Sequence, residues 1–263
     1  MLELSYTHVR ADVTGDVVRV TLNRPEMHNA FNEDVILEIT DCFERIGRDE
    51  ETRLVVLTGA GKSFCAGGDL NWMQKSVSFT KKKNLEDARR LSTMLHTVNR
   101  CPKPVVARVN GNALGGGCGL IAVCDIAVAS EDALFGFTEV KLGIVPAAIG
   151  PFAVRKIGES HARRHFLLGD RFGAREAVHI GLVHDAVPAA KLDATVDGVV
   201  RSLRTSGPRA MGEAKALVRT IVDMPATADK ACVETIARLR VGAEGQEGLK
   251  AFLEKRRAKW ART

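Results

Sequence analysis

The sequence predicts an α/β protein in which a strand, strand, helix unit recurs, followed by a tail made of helices. Three observations carry that expectation. Short apolar runs, "TRLVVLTGA", "VVARV", "DIAVAS" and "ALFGF", are of strand length and end in turn residues. Segments with helical spacing of apolar residues alternate with them. After "GLVHDAVP" the composition shifts to helix formers, broken at Gly207 with Pro208, at Pro225 and at Gly242. The predicted division is therefore a layered or spiral core over 1–189 and a helical region over 190–263.

In chain order, alternation in "DVVRVTLN" reads as a strand, which pairs with "LELSYTHVRAD" through a turn at Thr14 and Gly15. "RPEMHNAFNEDVILEITDCFERI" supplies a Pro-containing loop, then an amphipathic helix capped by Asn32 and running to about Ile46. The strand "TRLVVLTGA" is followed by the Gly-rich turn "GKSFCAGGDL". Residues Asn71 to Lys83 are polar and without pattern, with Lys75 and Lys81 to Lys83 among them, and are expected to form a mobile loop. A helix is expected from about Leu85 to Asn99. Pro102 and Pro104 then reset the chain into "VVARV", followed by a glycine run, a short apolar helix over Leu120 to Val123, and two strands around "DIAVAS" and "ALFGF".

The totals bound the function. A chain of 263 residues buries a sizeable core. With aromatics at 5% and hydrophobics at 45%, that core is mostly Val, Leu, Ile and Ala. A net charge of +6 suits a phosphate-bearing small molecule and is weak ground for nucleic acid, because 32 acidic residues dilute it. Cys42, Cys65, Cys101, Cys118, Cys124 and Cys232 form no CxxC pair and read as small residues in a reducing compartment. "MLELSYTHVR" lacks the features of a signal or presequence, so the cytoplasm is the expected location.

Several motifs fail on inspection. "GAGKS" ends like a phosphate-binding loop, but Val56 stands where its first glycine is needed. His161 and His165 are four apart, yet "HARRH" lacks a glutamate and carries Arg163 and Arg164, so a solvated helix face is expected rather than a metal site. No nucleophile elbow is present. The lysines at 81 to 83 read as a solvated segment.

Two Gly-rich turns, "SFCAGGDL" and "NGNALGGGCGL", remain, each directly after an apolar strand. Both place backbone amides at strand ends, and the second opens a helix whose positive end faces the same space. Paired amides there suit a developing oxyanion, and glycine lets a carbonyl approach closely. A dinucleotide cradle is disfavoured because Leu120 stands where the last glycine of GxGxxG belongs. Close helix-to-strand packing is compatible with either reading.

Here the chain resembles the crotonase family, the enoyl-CoA hydratase and isomerase superfamily, nearly end to end. "LNRPEMHNAFN", "FCAGGDL", "NGNALGGGCGL", "CDIAVAS", "FGFTEVKLGIVPAAIG" and the terminal "EKRRAKW" carry the likeness in the right order. The resemblance implies a crotonase-like spiral of β-β-α turns and a C-terminal helical region that forms a homotrimer, commonly a hexamer of two trimers. It implies an acyl-CoA thioester substrate, with no cofactor beyond the CoA of that substrate, no metal and no membrane partner.

Residue by residue, the resemblance assigns the N–H groups of Ala66 and Gly116 to the oxyanion hole. It places Ala66, Asp69 and Leu70 in the adenine-binding turn, and Glu26, Met27 and His28 on the other side of the CoA cleft. Trp260, with Lys255 and Lys259, resembles the C-terminal residues that close over CoA. Glu139 matches the glutamate that exchanges a proton with the substrate α-carbon. Gly119 stands where the second glutamate belongs.

A single carboxylate leaves three chemistries open. In hydration of a 2-enoyl-CoA, Glu139 handles both protons or Asn112 or a backbone group holds the water. Isomerisation between 3-enoyl and 2-enoyl thioesters needs one base. A branched or carboxylated substrate would bring its own polar group into the space beside Gly119. Of these, hydration is preferred. The run "FTEVKLGIVPAAIGPF" with "RRHFLLGDRF" looks most like bacterial methylglutaconyl-CoA hydratases of leucine breakdown. One eukaryotic branch resembling this group binds RNA through a lysine-lined helix, which leaves RNA binding as a side activity for the Lys75 to Lys83 region.

Overall fold

The computed structural model describes residue 2 and residues 4–261. Strands β1 (Val9–Thr14) and β2 (Val17–Leu22) form an antiparallel hairpin from Val9 opposite Leu22 to Thr14 opposite Val17. Gly15 closes it at φ 61°. After a 3-10 turn over Pro25–Met27, helix α1 (Glu33–Arg48) begins where the Asn32 side chain accepts the Val35 N–H at 2.9 Å. Strands β3 (Leu54–Gly59) and β4 (Ser63–Cys65) come next, then helices α2 (Leu70–Ser76) and α3 (Lys81–Arg100). The following unit is β5 (Val105–Val109), β6 (Asn112–Leu114) and α4 (Gly116–Val123). The third is β7 (Ile126–Ser130), β8 (Leu134–Gly136), a 3-10 turn over Glu139–Leu142, and α5 (Gly150–Leu168). Strand β9 (Arg171–Gly173), helix α6 (Ala174–His179) and strand β10 (Asp185–Val187) complete the sheets.

Successive strands go to different sheets. One sheet runs β1-β2-β3-β5-β7-β10 and the other β4-β6-β8-β9. Every pairing from β2 to β10 in the first sheet is parallel, as are β4 with β6 and β6 with β8. The recurring strand, strand, helix unit of the sequence is thus a spiral in which each turn adds one strand to each sheet. Because β3 and β5 are apolar on both faces, they read as continuous runs rather than alternating ones.

The remaining helices are α7 (Leu192–Arg204), α8 (Pro208–Asp223), α9 (Ala228–Val241) and α10 (Ala243–Leu253). Contacts divide the chain into one unit up to Cys101 with Val105–Val196, and a second of Pro102–Pro104 with the chain from Asp197 onward. Among the described residues no helix is long and apolar enough to cross a membrane. Cys42, Cys65, Cys101, Cys118 and Cys124 are buried free thiols, and Cys232 is half-buried.

Three local expectations are corrected. The segment from Asn71 to Lys83 holds α2 and the first turn of α3 instead of a loop. Two caps explain this: Asp69 accepts the N–H groups of Asn71 and Trp72 at 2.8 and 3.3 Å, and Thr80 accepts that of Lys83 at 3.3 Å. Helix α4 starts at Gly116 rather than Leu120, because burial on all sides from Gly117 to Val123 outweighs the poor propensity of glycine. His165 is buried, not solvated. Its ring lies 3.3 Å from Asp170 Oδ1 and 3.5 Å from Glu176 Oε1, and packs on Phe172 with ring centres 4.3 Å apart.

Candidate active site

The two Gly-rich turns meet. Strands β4 and β6 are adjacent and parallel, so the turn after β4 and the start of α4 lie side by side. A Cβ at Gly67 would come 2.8 Å from Leu114 O and 3.6 Å from Gly116 N, and a Cβ at Gly117 would overlap Cys65 O. Gly117 therefore serves close helix-to-strand packing. Gly115 serves backbone direction instead, at φ 49° and ψ −116°, with its N–H donating to Gly136 O at 2.8 Å.

Hydrogen-bond accounting identifies the free amides. The Ala66 N–H, expected as an oxyanion donor, donates to His28 O at 3.0 Å. That carbonyl is aimed at Ala66 because His28 and Asn29 both sit in the left-handed region, at φ 51° and 57°. Asn29 is pinned there: its Oδ1 accepts the Arg24 N–H at 2.9 Å, and its Nδ2 donates to Ala60 O and Ser63 O at 2.9 and 2.8 Å. Further along the same turn, Phe31 N–H donates to Gly67 O and Asp69 N–H to Phe31 O, which leaves Gly68 N–H pointing the other way. Among the described residues neither Gly68 N–H nor Gly116 N–H has an acceptor. The unspent amides are accordingly those of Gly68 and Gly116, and Ala66, whose N–H is spent on His28 O, does not fit the place expected for it in the pair. Sequence alone cannot say which amide in "CAGGD" is already spent.

Glu139 opens the 3-10 turn after β8, and its carboxylate stands over the start of α4. Its Oε1 lies 3.1 Å from the place a Cβ at Gly115 would occupy. Its Oε2 is buried without a hydrogen-bond partner. Burial pushes the Glu139 pKa above the usual carboxylate range, opposed in part by the backbone N–H of the same residue. A carboxyl that holds its proton more tightly than usual, over the start of a helix whose first amide is unspent, is a chemical candidate for proton exchange.

The other expected residues fall into two groups. Asp69 is 2% exposed, and its carboxylate is consumed by the caps of α2 and by Arg24 Nη2 at 2.8 Å, so its side chain is not available to a ligand. Burial raises the Asp69 pKa, but the Arg24 hydrogen bond and the two backbone N–H groups outweigh it and hold the group below its ordinary value. Arg24 also donates to Ala30 O at 2.8 Å, tying the Pro25–Met27 turn to the Gly67–Gly68 turn. Glu26 and His28 are exposed and Met27 half-buried on that first turn, while Leu70 is exposed on the second. In the second unit Lys255 and Lys259 are exposed, and Trp260 donates to Thr205 O at 3.3 Å and packs on Gly248.

Two further expectations concern Asn112 and Gly119. Asn112, offered as a water-holder, spends its Oδ1 on the Leu134 N–H at 3.0 Å, which leaves its Nδ2 as the group for a water. Gly119 is buried, and the space beside it is filled: a Cβ there would overlap Ile149 Cγ2 and lie 2.8 Å from Ile149 Cβ. No substrate group fits at that position. Arg24, Gly68 and Ile149 are residues that sequence reasoning passed over; all three lie inside quoted runs, "LNRPEMHNAFN", "FCAGGDL" and "FGFTEVKLGIVPAAIG", but the packing of Ile149 on Gly119 shows only in the fold.

The family description enoyl-CoA hydratase/isomerase matches residues 12–263. Among solved structures, the chain is similar to an enoyl-CoA hydratase from Shewanella pealeana, with 38% identity, TM-score 0.93, and 97% of this chain and 96% of that one covered. It is similar to Pseudomonas aeruginosa AtuE at 37% identity and TM-score 0.93, covering 97% and 100%. An enoyl-CoA hydratase from Mycobacterium smegmatis gives 31% identity and TM-score 0.92, covering 97% and 100%.

Proposed function

Because the chain belongs to the enoyl-CoA hydratase/isomerase family, we propose that it hydrates a 2-enoyl-CoA thioester with Glu139 as its one acid–base group. The observation that carries this is the buried, unpartnered Oε2 of Glu139 over the start of α4, where the Gly116 amide is free, with the free Gly68 amide in the adjoining turn. The thioester oxygen accepts both N–H groups. As charge develops on it they stabilise the enolate by several kcal/mol, at about 3 kcal/mol per donor.

The proton count closes on one carboxylate. Glu139 takes a proton from water as the water oxygen bonds to the β-carbon and the double-bond electrons move toward the thioester oxygen. It then returns that proton to the α-carbon as the enolate collapses, which restores the carboxylate and adds one water overall. Both transfers fall on one face, so the addition is syn.

The CoA portion is proposed to lie between the Glu26, Met27 and His28 turn and the segment from Ala66 to Leu70. The same reading assigns CoA contacts to Lys255, Lys259 and Trp260. The branched candidate, 3-methylglutaconyl-CoA, rests on sequence resemblance. Exposed apolar side chains on the C-terminal helices, among them Ile221, Val222, Val233 and Ile236, support a homotrimer or a hexamer.

A second reading, isomerisation of a 3-enoyl to a 2-enoyl thioester, is favoured by the filled space at Gly119. Glu139 would move one proton from C2 to C4 without water. Turnover of purified protein with crotonyl-CoA, 3-methylglutaconyl-CoA and a 3-enoyl-CoA, with products weighed by mass spectrometry, separates the two. A gain of one water supports the hydratase; conversion of the 3-enoyl substrate at constant mass, with no hydration of the others, replaces it with the isomerase.

A further inference from the structure

Helix α4 presents Gly115 and Gly119 one turn apart, with the Gly119 N–H donating to Gly115 O at 3.1 Å, so the two positions share a face. Glu139 stands over the first. Ile149 stands over the second, with Leu95 Cδ2 3.8 Å from the same Cβ position. Ile149 is 2% exposed and cannot swing away cheaply. Its carbonyl accepts the N–H groups of Phe152 and Ala153 at 3.1 and 2.9 Å, which fixes its backbone at the start of α5.

We propose that Ile149 is the residue that leaves this site with a single acid–base group. Its hydrocarbon occupies the place that any side chain at position 119 would take, one helical turn from the position Glu139 covers, and it presents an apolar wall to the reacting end of the acyl group. Glu139 then carries every proton that the reaction moves, and the substituent facing the wall has to be apolar. This rests on the enoyl thioester reading above. The burial that raises the Glu139 pKa agrees with a dry wall on that side.

The test uses the full chain with Gly119→Ala, Ile149→Gly and both together. The first pushes a methyl into Ile149 and the second leaves a void, so each lowers the melting temperature. In the double variant the methyl enters the void, and the combined loss is expected to be smaller than the sum of the two. Additive losses, or a Gly119→Ala variant that melts like the parent, would overturn the match between the two positions.

The wall is tested by carbon-13 NMR titration of the Glu139 carboxyl, assigned by its absence in Glu139→Gln, in the parent and in the milder Ile149→Ala. Water admitted beside Glu139 is expected to move its titration to lower pH; an unmoved titration would leave Ile149 a packing residue. Neither readout needs turnover. A failure of the enoyl thioester reading therefore shows as absent conversion in the parent, separately from a failure of this inference.

Discussion

Glu139 Oε1 and the α-carbon of Gly115 are fitted to each other so closely that a methyl on the glycine would stand 3.1 Å from the carboxylate oxygen. Gly115 also holds φ 49° with ψ −116°, a conformation costing a side chain about 1–3 kcal/mol. Gly115→Ala is therefore expected to lower the melting temperature by roughly 2–4 °C per kcal/mol and turnover by about tenfold or more. Thermal melting alongside kcat would show it; unchanged values for both would mean that the carboxylate is not held against α4.

Glu139→Gln removes proton transfer and the buried, unpartnered carboxylate at once. Turnover should fall by about 10²–10⁴-fold. Stability should move the other way. Since the folded protein holds the Glu139 proton more tightly than the unfolded chain does, the group's contribution is full below the ordinary glutamate pKa. It is lost as pH rises through the raised value. The variant should thus melt higher than the parent at neutral pH, with a flatter dependence on pH above the ordinary glutamate range.

Asp69 works with the opposite sign. Its lowered pKa stabilises the fold above the ordinary aspartate value, and that contribution is lost as pH falls through the folded value. Asp69→Asn leaves Arg24 largely buried without its partner. With Arg24 13% exposed, the cost should be about 2–3 kcal/mol, below the range for a fully buried pair. Urea titrations at pH 7 and in the acid range would reveal a gap between parent and variant that narrows on acidification.

The amide of Gly116 can be isolated by comparing two substitutions. A Cβ there meets the Phe31 ring edge at 2.7 Å, so Gly116→Ala and Gly116→Pro share that crowding. Proline is tolerated at the first position of a helix but has no N–H. Turnover of the proline variant should lie about 10²–10³-fold below that of the alanine variant. Equal rates would remove Gly116 from the oxyanion hole.

Much of this was legible in the sequence because local chemistry decides it. Asn32 caps α1 as its position before an amphipathic run predicts, and strands β3, β5 and β7 follow from short apolar runs. The caps Asp69 and Thr80 were available in the same way, but polar residues around them hid α2 and the first turn of α3. What the sequence could not carry was set by distance along the chain. Whether Ala66 or Gly68 has its N–H free depends on a carbonyl nearly forty residues earlier, turned by the left-handed His28. Likewise Gly119 reads as an open place until Ile149, thirty residues later, is seen to fill it.

Five of the six sulfhydryls lie inside the molecule, and burial pushes those of Cys42 and Cys65 up to about 12. The thiolate is the reactive form, so an alkylating reagent meets one accessible target, Cys232 on α9, while the protein stays folded. Each further label records an opening of the segment that hides it. Cys65, at the end of β4, and Cys118, in the first turns of α4, thus act as built-in timers of how often the floor of the proposed site comes apart, read from mass alone and without any substrate.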